Sequence, residues 1–186
     1  MDRTVEDTLE YIFDLVNSWL KFAEAKNSVL VAISGTALWA TVRVASTVPV
    51  SDLVKIYLFS LIICLSGTLV IALVSFLPVL NFSHIIPKQT SVANRNLLYF
   101  GYLATFSKKQ LVGAIREKRG APETDYNEFH PMLAEQIIIN SRIAMAKYAL
   151  FELGIGFMIV GALTPILGAP LLFVSRKSRS RADGVG

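Results

Sequence analysis

One stretch constrains the fold of this chain more than any other: 28 consecutive residues between Lys55 and His84 carry no charged side chain. Its central part, Ile56 to Leu77, reads IYLFSLIICLSGTLVIALVSFL. About 20 predominantly apolar residues cross the ~30 Å hydrocarbon core of a bilayer as an α-helix. A soluble domain of 186 residues has little surface against which to bury such a run. The sequence therefore predicts a membrane span.

Two further segments are long and apolar enough to span. The first, SVLVAISGTALWATVRVASTV at Ser28 to Val48, contains no proline, and its small residues favour close helix packing. The other follows a helix that Pro131 can open in its first turn and that continues into apolar sequence without a stop signal. Pro165, Gly168 and Pro170 offer an alternative, because they could break this third segment into a re-entrant piece. We expect an all-α, polytopic membrane protein with three spans.

The chain divides into five predicted segments. An acidic amphipathic helix at 1–27 has apolar residues at Val5, Leu9, Ile12, Val16, Trp19 and Ala23. The others are a transmembrane hairpin at 28–80 (spans at about 28–48 and 56–78), a cytoplasmic helical region at 81–149, a third transmembrane helix at 150–174 and a basic flexible tail at 175–186. Within the cytoplasmic region, the pattern predicts two helices between Ser91 and Lys118, broken near Thr105 to Ser107.

Charge predicts the orientation only in part. Residues 1–27 hold six acids and three bases, whereas residues 80–149 hold nine bases and five acids. The N-terminal segment lacks the basic start of a secretory signal, and the basic middle favours the inside of the membrane. We therefore expect a multi-pass protein of the bacterial inner membrane with a cytoplasmic N-terminus. Three spans place the basic tail outside, against the rule, so its side of the membrane stays open.

The residues that usually carry catalysis or bind metals are scarce. Cys64 is the only cysteine and lies inside the charge-free run, so a metal site built from cysteines is excluded. The two histidines, His84 and His130, lie far apart without a catalytic or metal-ligand motif around them, and we interpret each as a turn residue. We expect no enzyme activity, no cofactor and no metal site.

A set of basic residues in the predicted cytoplasmic region is the candidate ligand site. The set comprises Arg95, Lys108, Lys109, Arg116, Lys118, Arg119 and Arg142, with Tyr99, Phe100 and Tyr102 nearby in sequence. Bases interleaved with aromatics can hold an anionic nucleotide or a single-stranded oligonucleotide by phosphate contacts and stacking. No duplex DNA partner is expected. The alternative is that these residues follow the positive-inside rule and attract the acidic N-terminal helix.

Four residues of the predicted spans are candidates for a pore or for helix packing. Arg43 lies inside the first span, where it either snorkels to the headgroups or faces a water-filled path. Gly154, Gly161 and Gly168 recur every seven residues and so lie near one face of a helix, which permits close contact within or between subunits. A conducting path needs several subunits of three spans, so a homo-oligomer is expected.

Two parts of the sequence resemble the transmembrane effector domain of the Pycsar antiphage systems. In WLKFAEAKNSVLVAISG, at Trp19 to Gly35, the matching positions are Phe22, Ala23, Glu24 and Lys26, with Glu in place of the more usual Asp. NLLYFGYLATFS and AEQIIINSRIAMAKYALFE, at 96–107 and 134–152, resemble two further helices of the family. Their matching positions are Tyr99, Phe100, Gly101, Gln136, Ser141, Lys147 and Tyr148.

The resemblance implies a prokaryotic antiphage effector that permeabilises the membrane under control of a nucleotide made by a partner nucleotidyltransferase or cyclase. Related effectors often carry a separate nucleotide-sensing domain, and we expect none in this chain. Residues 81–149 then bind the signal, as in channel-type effectors held shut by a nucleic-acid ligand such as that of the Hailong system, or another protein does. Glu24 and Lys26 are either interfacial anchors or part of an ion pair that holds a closed arrangement. The alternative function is a non-conducting membrane adaptor for a cytoplasmic partner.

Overall fold

The computed structural model describes residues 4–77, 96–121 and 127–182, with the backbone alone from residue 165 onward. Within these ranges the chain forms five α-helices: α1 (Val5–Thr47), α2 (Asp52–Val74), α3 (Phe100–Leu103), α4 (Lys108–Arg119) and α5 (Phe129–Ala182). The expected all-α fold class is confirmed for the described residues. The predictions for Arg95 and His84 lie outside them.

Three helices are long and apolar enough to cross a membrane: α1, α2 and the Phe129–Thr164 part of α5. This agrees with the three predicted spans. Helix α1 joins the predicted amphipathic helix and the predicted first span without a break, over 43 residues. The backbone of α5 is likewise helical through Pro165 and Pro170, so the break predicted as an alternative at these prolines is not found.

The chain forms two compact units. The first comprises Met1–Ser28 and Ser75–Phe151, and the second comprises Val29–Val74 and Glu152–Gly186. Helices α1 and α5 contribute residues to both units.

The core of the first unit joins α1, α4 and the first turns of α5. Its buried members include Val5, Leu9, Ile12 and Val16 of α1, Leu111 and Ile115 of α4, and Ala134 and Ile137 of α5. The predicted apolar stripe of α1 is therefore buried, with one exception. Trp19 lies at the edge of this core, where its ring packs against Phe100 and 38% of its surface stays exposed.

The break between α3 and α4 falls where the sequence predicts it. Ser107 caps α4: its side chain accepts a hydrogen bond from the backbone N–H of Gln110, and the Gln110 side chain accepts one from the backbone N–H of Ser107. This reciprocal pair satisfies two amide groups that the first turn of a helix leaves without partners. At the other end, Gly120 adopts φ 62°, a left-handed conformation that glycine reaches without steric cost.

In the second unit, small residues bring α5 close to α1 and α2. A Cβ at Gly154 would lie 2.9 Å from a methyl group of Leu30, and one at Gly161 would lie 2.7 Å from Cβ of Cys64. The buried Thr68 hydroxyl donates to the carbonyl oxygen of Gly154 at 3.1 Å. These two glycines of the predicted stripe therefore make contacts within the chain, and Cys64 faces a neighbouring helix.

Candidate functional site

Three elements of the first unit meet at the ammonium group of Lys147. Its Nζ lies 3.2 Å from Oε1 of Glu24 on α1 and donates to the carbonyl oxygen of Ser75, directly after α2, at 2.9 Å. Only 13% of the Lys147 side chain is exposed, against 47% for Glu24. We call Lys147, Glu24 and Ser75 the Lys147 cluster. The ammonium group is thus held by a carboxylate and by a carbonyl from different elements.

A second polar contact fixes how α1 and α5 pair within this unit. Asn140 donates from Nδ2 to Oδ1 of Asn17 at 2.8 Å, across a sequence separation of 123. Glu24 and Lys147 have the same separation, and each lies seven residues further along its helix. The two helices therefore run parallel, and seven residues are about two turns, so both contacts fall on one side of the pair. We call these four residues the polar seam.

Lys26 is surrounded by aromatic rings. Its Nζ lies 4.8 Å from the ring centre of Phe22, 5.3 Å from that of Tyr148 and 5.3 Å from that of Phe151. A cation within about 6 Å of a ring centre is attracted by the negative face of the π system. Since Lys26 has no ion pair with a described residue, these rings are its identified partners. The acid that sequence reasoning placed beside Lys26 binds Lys147 instead.

Phe100 is the centre of an aromatic group on α3. Its ring lies 4.9 Å from that of Tyr99, 5.4 Å from that of Tyr148 and 5.8 Å from that of Trp19, centre to centre. A Cβ at Gly101 would lie 2.5 Å from Cε1 of Tyr99, so a side chain at this position requires the Tyr99 ring to move. The sequence Tyr99-Phe100-Gly101 thus places two aromatic rings together, and the absence of a side chain on Gly101 leaves room for the Tyr99 ring.

The predicted basic set is divided among three surfaces of the first unit. Lys108, Lys109 and Arg116 line a cavity of about 350 Å³ together with Val112, Gly113 and Pro131. Lys118 and Arg119 border another cavity, of about 320 Å³, with Thr8, Ile12, Ile115 and residues 96–98. Arg142 borders a third cavity, which Lys108 also lines, and donates from Nε to the carbonyl oxygen of Ala104 at 3.0 Å. Lys108 therefore belongs to two of these cavities, whereas Lys118 and Arg119 border neither of those two.

Three predicted residues lie apart from these groups. Arg43 is exposed on α1 in the second unit, one turn before the helix ends. His130, interpreted from the sequence as a turn residue, lies in the first turn of α5 and is buried, with 2% of its surface exposed. Gly168 belongs to the helical backbone of α5, and its surroundings lie outside the described side chains.

Several residues of the site were missed by sequence reasoning. Asn17 and Asn140 each lie seven residues before a member of the Lys147 cluster, a spacing that could have been read from the sequence. Asn27 is fully buried and donates from Nδ2 to the carbonyl oxygens of Ala23 and Lys147, at 3.1 and 3.2 Å. The Ser75 carbonyl offers no signal, because every residue carries one.

The described residues define a polytopic, all-α membrane protein. Three helices are able to cross a membrane, and the Lys147 cluster joins three elements through polar contacts. The Pycsar effector protein domain matches residues 8–174. The chain belongs to this family, as the resemblance of its motifs implied.

A curated relative agrees with this assignment. The chain is similar to the Pycsar effector protein PtPycTM of Propioniciclava tarda, with 26% identity over 143 residues. The aligned region covers 74% of this chain and 65% of that relative, so the chain spans slightly less than two thirds of the relative's length. No solved structure matches the chain.

Proposed function

We propose that this protein is an antiphage effector of the bacterial inner membrane, with a cytoplasmic N-terminus. Several copies assemble into a channel or pore that a nucleotide or oligonucleotide signal controls, and a partner cyclase or nucleotidyltransferase makes that signal. Membership of the Pycsar effector family and three helices able to span a membrane support this role. When active, the assembly disrupts the integrity or the potential of the membrane.

The observation that carries the proposal is the Lys147 cluster. One ammonium group joins α1, α5 and the residue that follows α2, and all three helices are able to span a membrane. A contact that joins two of the described candidate spans to the end of the third is well placed to hold the closed arrangement. Since α1 and α5 continue without a break into the second unit, a change in their pairing is carried along the same helices.

The cavity beside α4 is the site we assign to the signal. Lys108 and Lys109 are the first two residues of α4, where the helix dipole adds to their positive charge, and Arg116 lies two turns further on. Phosphate groups suit such a site, because charge-assisted hydrogen bonds to Arg and Lys are short and strong. Val112, Gly113 and Pro131 supply apolar surface for a base or a sugar.

A ligand in this cavity has a direct connection to α5. Lys108 forms an ion pair with Glu135 of α5, with Nζ and Oε2 3.0 Å apart. A bound phosphate competes with Glu135 for this ammonium group, so occupancy loosens a contact between α4 and α5. A ligand shifts the balance between closed and open states only if it binds them with different affinity, and this competition provides such a difference.

Ion flux from liposomes tests the proposal. The purified full-length protein is reconstituted, and flux is measured alone, with a panel of 3′,5′-cyclic mononucleotides and with single-stranded oligonucleotides. We expect one of these probes to change the flux and Lys147→Met to raise the flux without any probe. If neither wild type nor Lys147→Met conducts under any condition, the channel is refuted and the adaptor function is favoured.

Matched charge variants test the assigned cavity. Replacing Lys108, Lys109 and Arg116 by Gln should abolish the response to the effective probe. Replacing Lys21, Lys118 and Arg119 by Gln removes the same number of charges, none of which lines that cavity, and should leave the response unchanged. Equal loss in both variants would show that overall charge, rather than this site, binds the ligand.

A further inference from the structure

Two hydroxyl groups on α5 are buried without a hydrogen-bond partner among the described residues. They belong to Ser141 and Tyr148, and both lie in the first unit. Buried polar groups in folded proteins nearly always have a partner, because an unmade hydrogen bond costs the full desolvation of the group. The observed arrangement of the described residues gives neither hydroxyl a partner.

The positions of these hydroxyls repeat the polar seam one residue later. Ser141 directly follows Asn140, and Tyr148 directly follows Lys147, so each pair has the same seven-residue spacing. On α1, the acceptors Asn17 and Glu24 also lie seven residues apart. Helix α5 therefore presents two adjacent polar stripes, of which only the Asn140 and Lys147 stripe faces the acceptors of α1.

We propose that α5 has a second register against α1, in which Ser141 and Tyr148 replace Asn140 and Lys147 opposite Asn17 and Glu24. Hydroxyl groups can donate to an amide oxygen and to a carboxylate, so both exchanges keep each acceptor of α1 paired. Neighbouring positions on a helix are about 100° apart, so exchanging them requires α5 to rotate about its own axis by at most about 100°. The link between register and activity rests on the proposed function, in which the observed register corresponds to the closed state.

The buried residues between the two polar contacts of α5 are small. Ser141, Ala144 and Ala146 are buried there, and such short side chains do not interlock with a neighbouring helix as a long side chain does. The rotation breaks the hydrogen bond from Asn27 to the carbonyl oxygen of Lys147 and moves the Tyr148 ring away from Phe100. The rotation also withdraws Lys147 from the carbonyl oxygen of Ser75. The second register thus releases the end of α2 at the same time as it re-pairs α1.

Opposite effects of neighbouring substitutions test the two registers. Ser141→Ala and Tyr148→Phe remove donors that only the second register uses, so each should lower the flux of the activated protein about fivefold, as expected for one hydrogen bond. Neither should lower the thermal midpoint of the resting protein. Asn140→Ala should instead lower that midpoint and raise basal flux. If Ser141→Ala lowers the midpoint and leaves activated flux unchanged, the second register is refuted.

Disulfide cross-linking tests the registers without reference to flux. In a Cys64→Ala background, the pairs Asn17→Cys/Asn140→Cys and Asn17→Cys/Ser141→Cys are oxidised in full-length protein in liposomes. The first pair should form faster at rest, and adding Lys147→Met should shift the preference to the second. An unchanged preference would overturn the inference. A shifted preference in a protein that never conducts would keep the two registers and refute only the channel.

Discussion

Lys147 and Glu24 meet at 3.2 Å across two helices, and the same ammonium group reaches the carbonyl oxygen of Ser75 at 2.9 Å. An exposed ion pair contributes little, but here the ammonium group is mostly withdrawn from solvent and holds a second partner. The cluster is therefore asymmetric, since removing the lysine breaks both contacts while removing the acid breaks one.

This asymmetry predicts an order of effects. Lys147→Met should lower the free energy of unfolding by about 1–3 kcal/mol, because it leaves a carbonyl group and a carboxylate without their partner. Glu24→Gln should cost less than about 1 kcal/mol, since the acid is half exposed and the amide still accepts a hydrogen bond. Thermal unfolding in detergent measures both. Lys55→Met removes an exposed ion pair with Asp52 and serves as the control, with a change within about 0.5 kcal/mol.

Gly101→Ala should disturb the aromatic group around Phe100. The new methyl group would overlap the Tyr99 ring, which has to leave its position beside Phe100, at a cost of about 1–3 kcal/mol. The double variant Gly101→Ala/Tyr99→Ala shows whether the ring is the cause, because the methyl group then has no ring to meet. We expect the alanine at 101 to be close to neutral in the Tyr99→Ala background. Equal costs in both backgrounds would contradict this explanation.

Substitutions of the α5 glycines by alanine should differ in their effect on stability according to the atoms that face each glycine. Gly161→Ala places a methyl group 2.7 Å from Cβ of Cys64 and should lower the thermal midpoint. Gly156→Ala meets no described atom within 4 Å and should be neutral or stabilising, since alanine favours a helix by about 1 kcal/mol over glycine. Adding Cys64→Gly to Gly161→Ala should recover part of the loss, because it removes the atom that clashes. Failure of this rescue would place the cause elsewhere.

The N-terminal cap of α4 should contribute measurably to the stability of the first unit. Ser107→Ala removes the side chain that accepts from the Gln110 amide, at a cost of about 1 kcal/mol. Ser18→Ala is a suitable control, because that exposed hydroxyl only donates to the Leu15 carbonyl oxygen in its own helix. We expect its effect to stay within about 0.5 kcal/mol. A Ser107→Ala variant as stable as the control would mean that α4 does not depend on its cap.

Local constraints made part of the fold predictable from the sequence. The charge-free run after Lys55 predicts a span because the bilayer fixes the length and polarity of whatever crosses it. The break before α4 follows from its residues too, since Ser107 and Gln110 have the spacing of a capping pair. The continuity of α1 was less evident, because a helix changes from one environment to another without a local signal.

Most of the site depends on contacts that a linear reading does not contain. Glu24 had several charged neighbours in sequence, yet its partner lies 123 residues further on, at a position set by the register of α1 and α5. The basic residues were grouped as one candidate ligand set because they lie in the same predicted cytoplasmic region. On α4, however, successive residues turn by about 100°, so Lys108 and Arg119 border different cavities.

The unbroken passage of α1 and α5 through both units makes the chain sensitive to helical phase. A single residue inserted near Val29 turns every later side chain of α1 by about 100° and advances it by about 1.5 Å relative to the residues before the insertion. Residues of α1 that follow the insertion, such as Leu30 opposite Gly154, then no longer face the same neighbours when the polar seam is kept. Insertions of seven or eleven residues, about two or three turns, nearly restore the phase, so they should disturb the helix pairing less than a single inserted residue does.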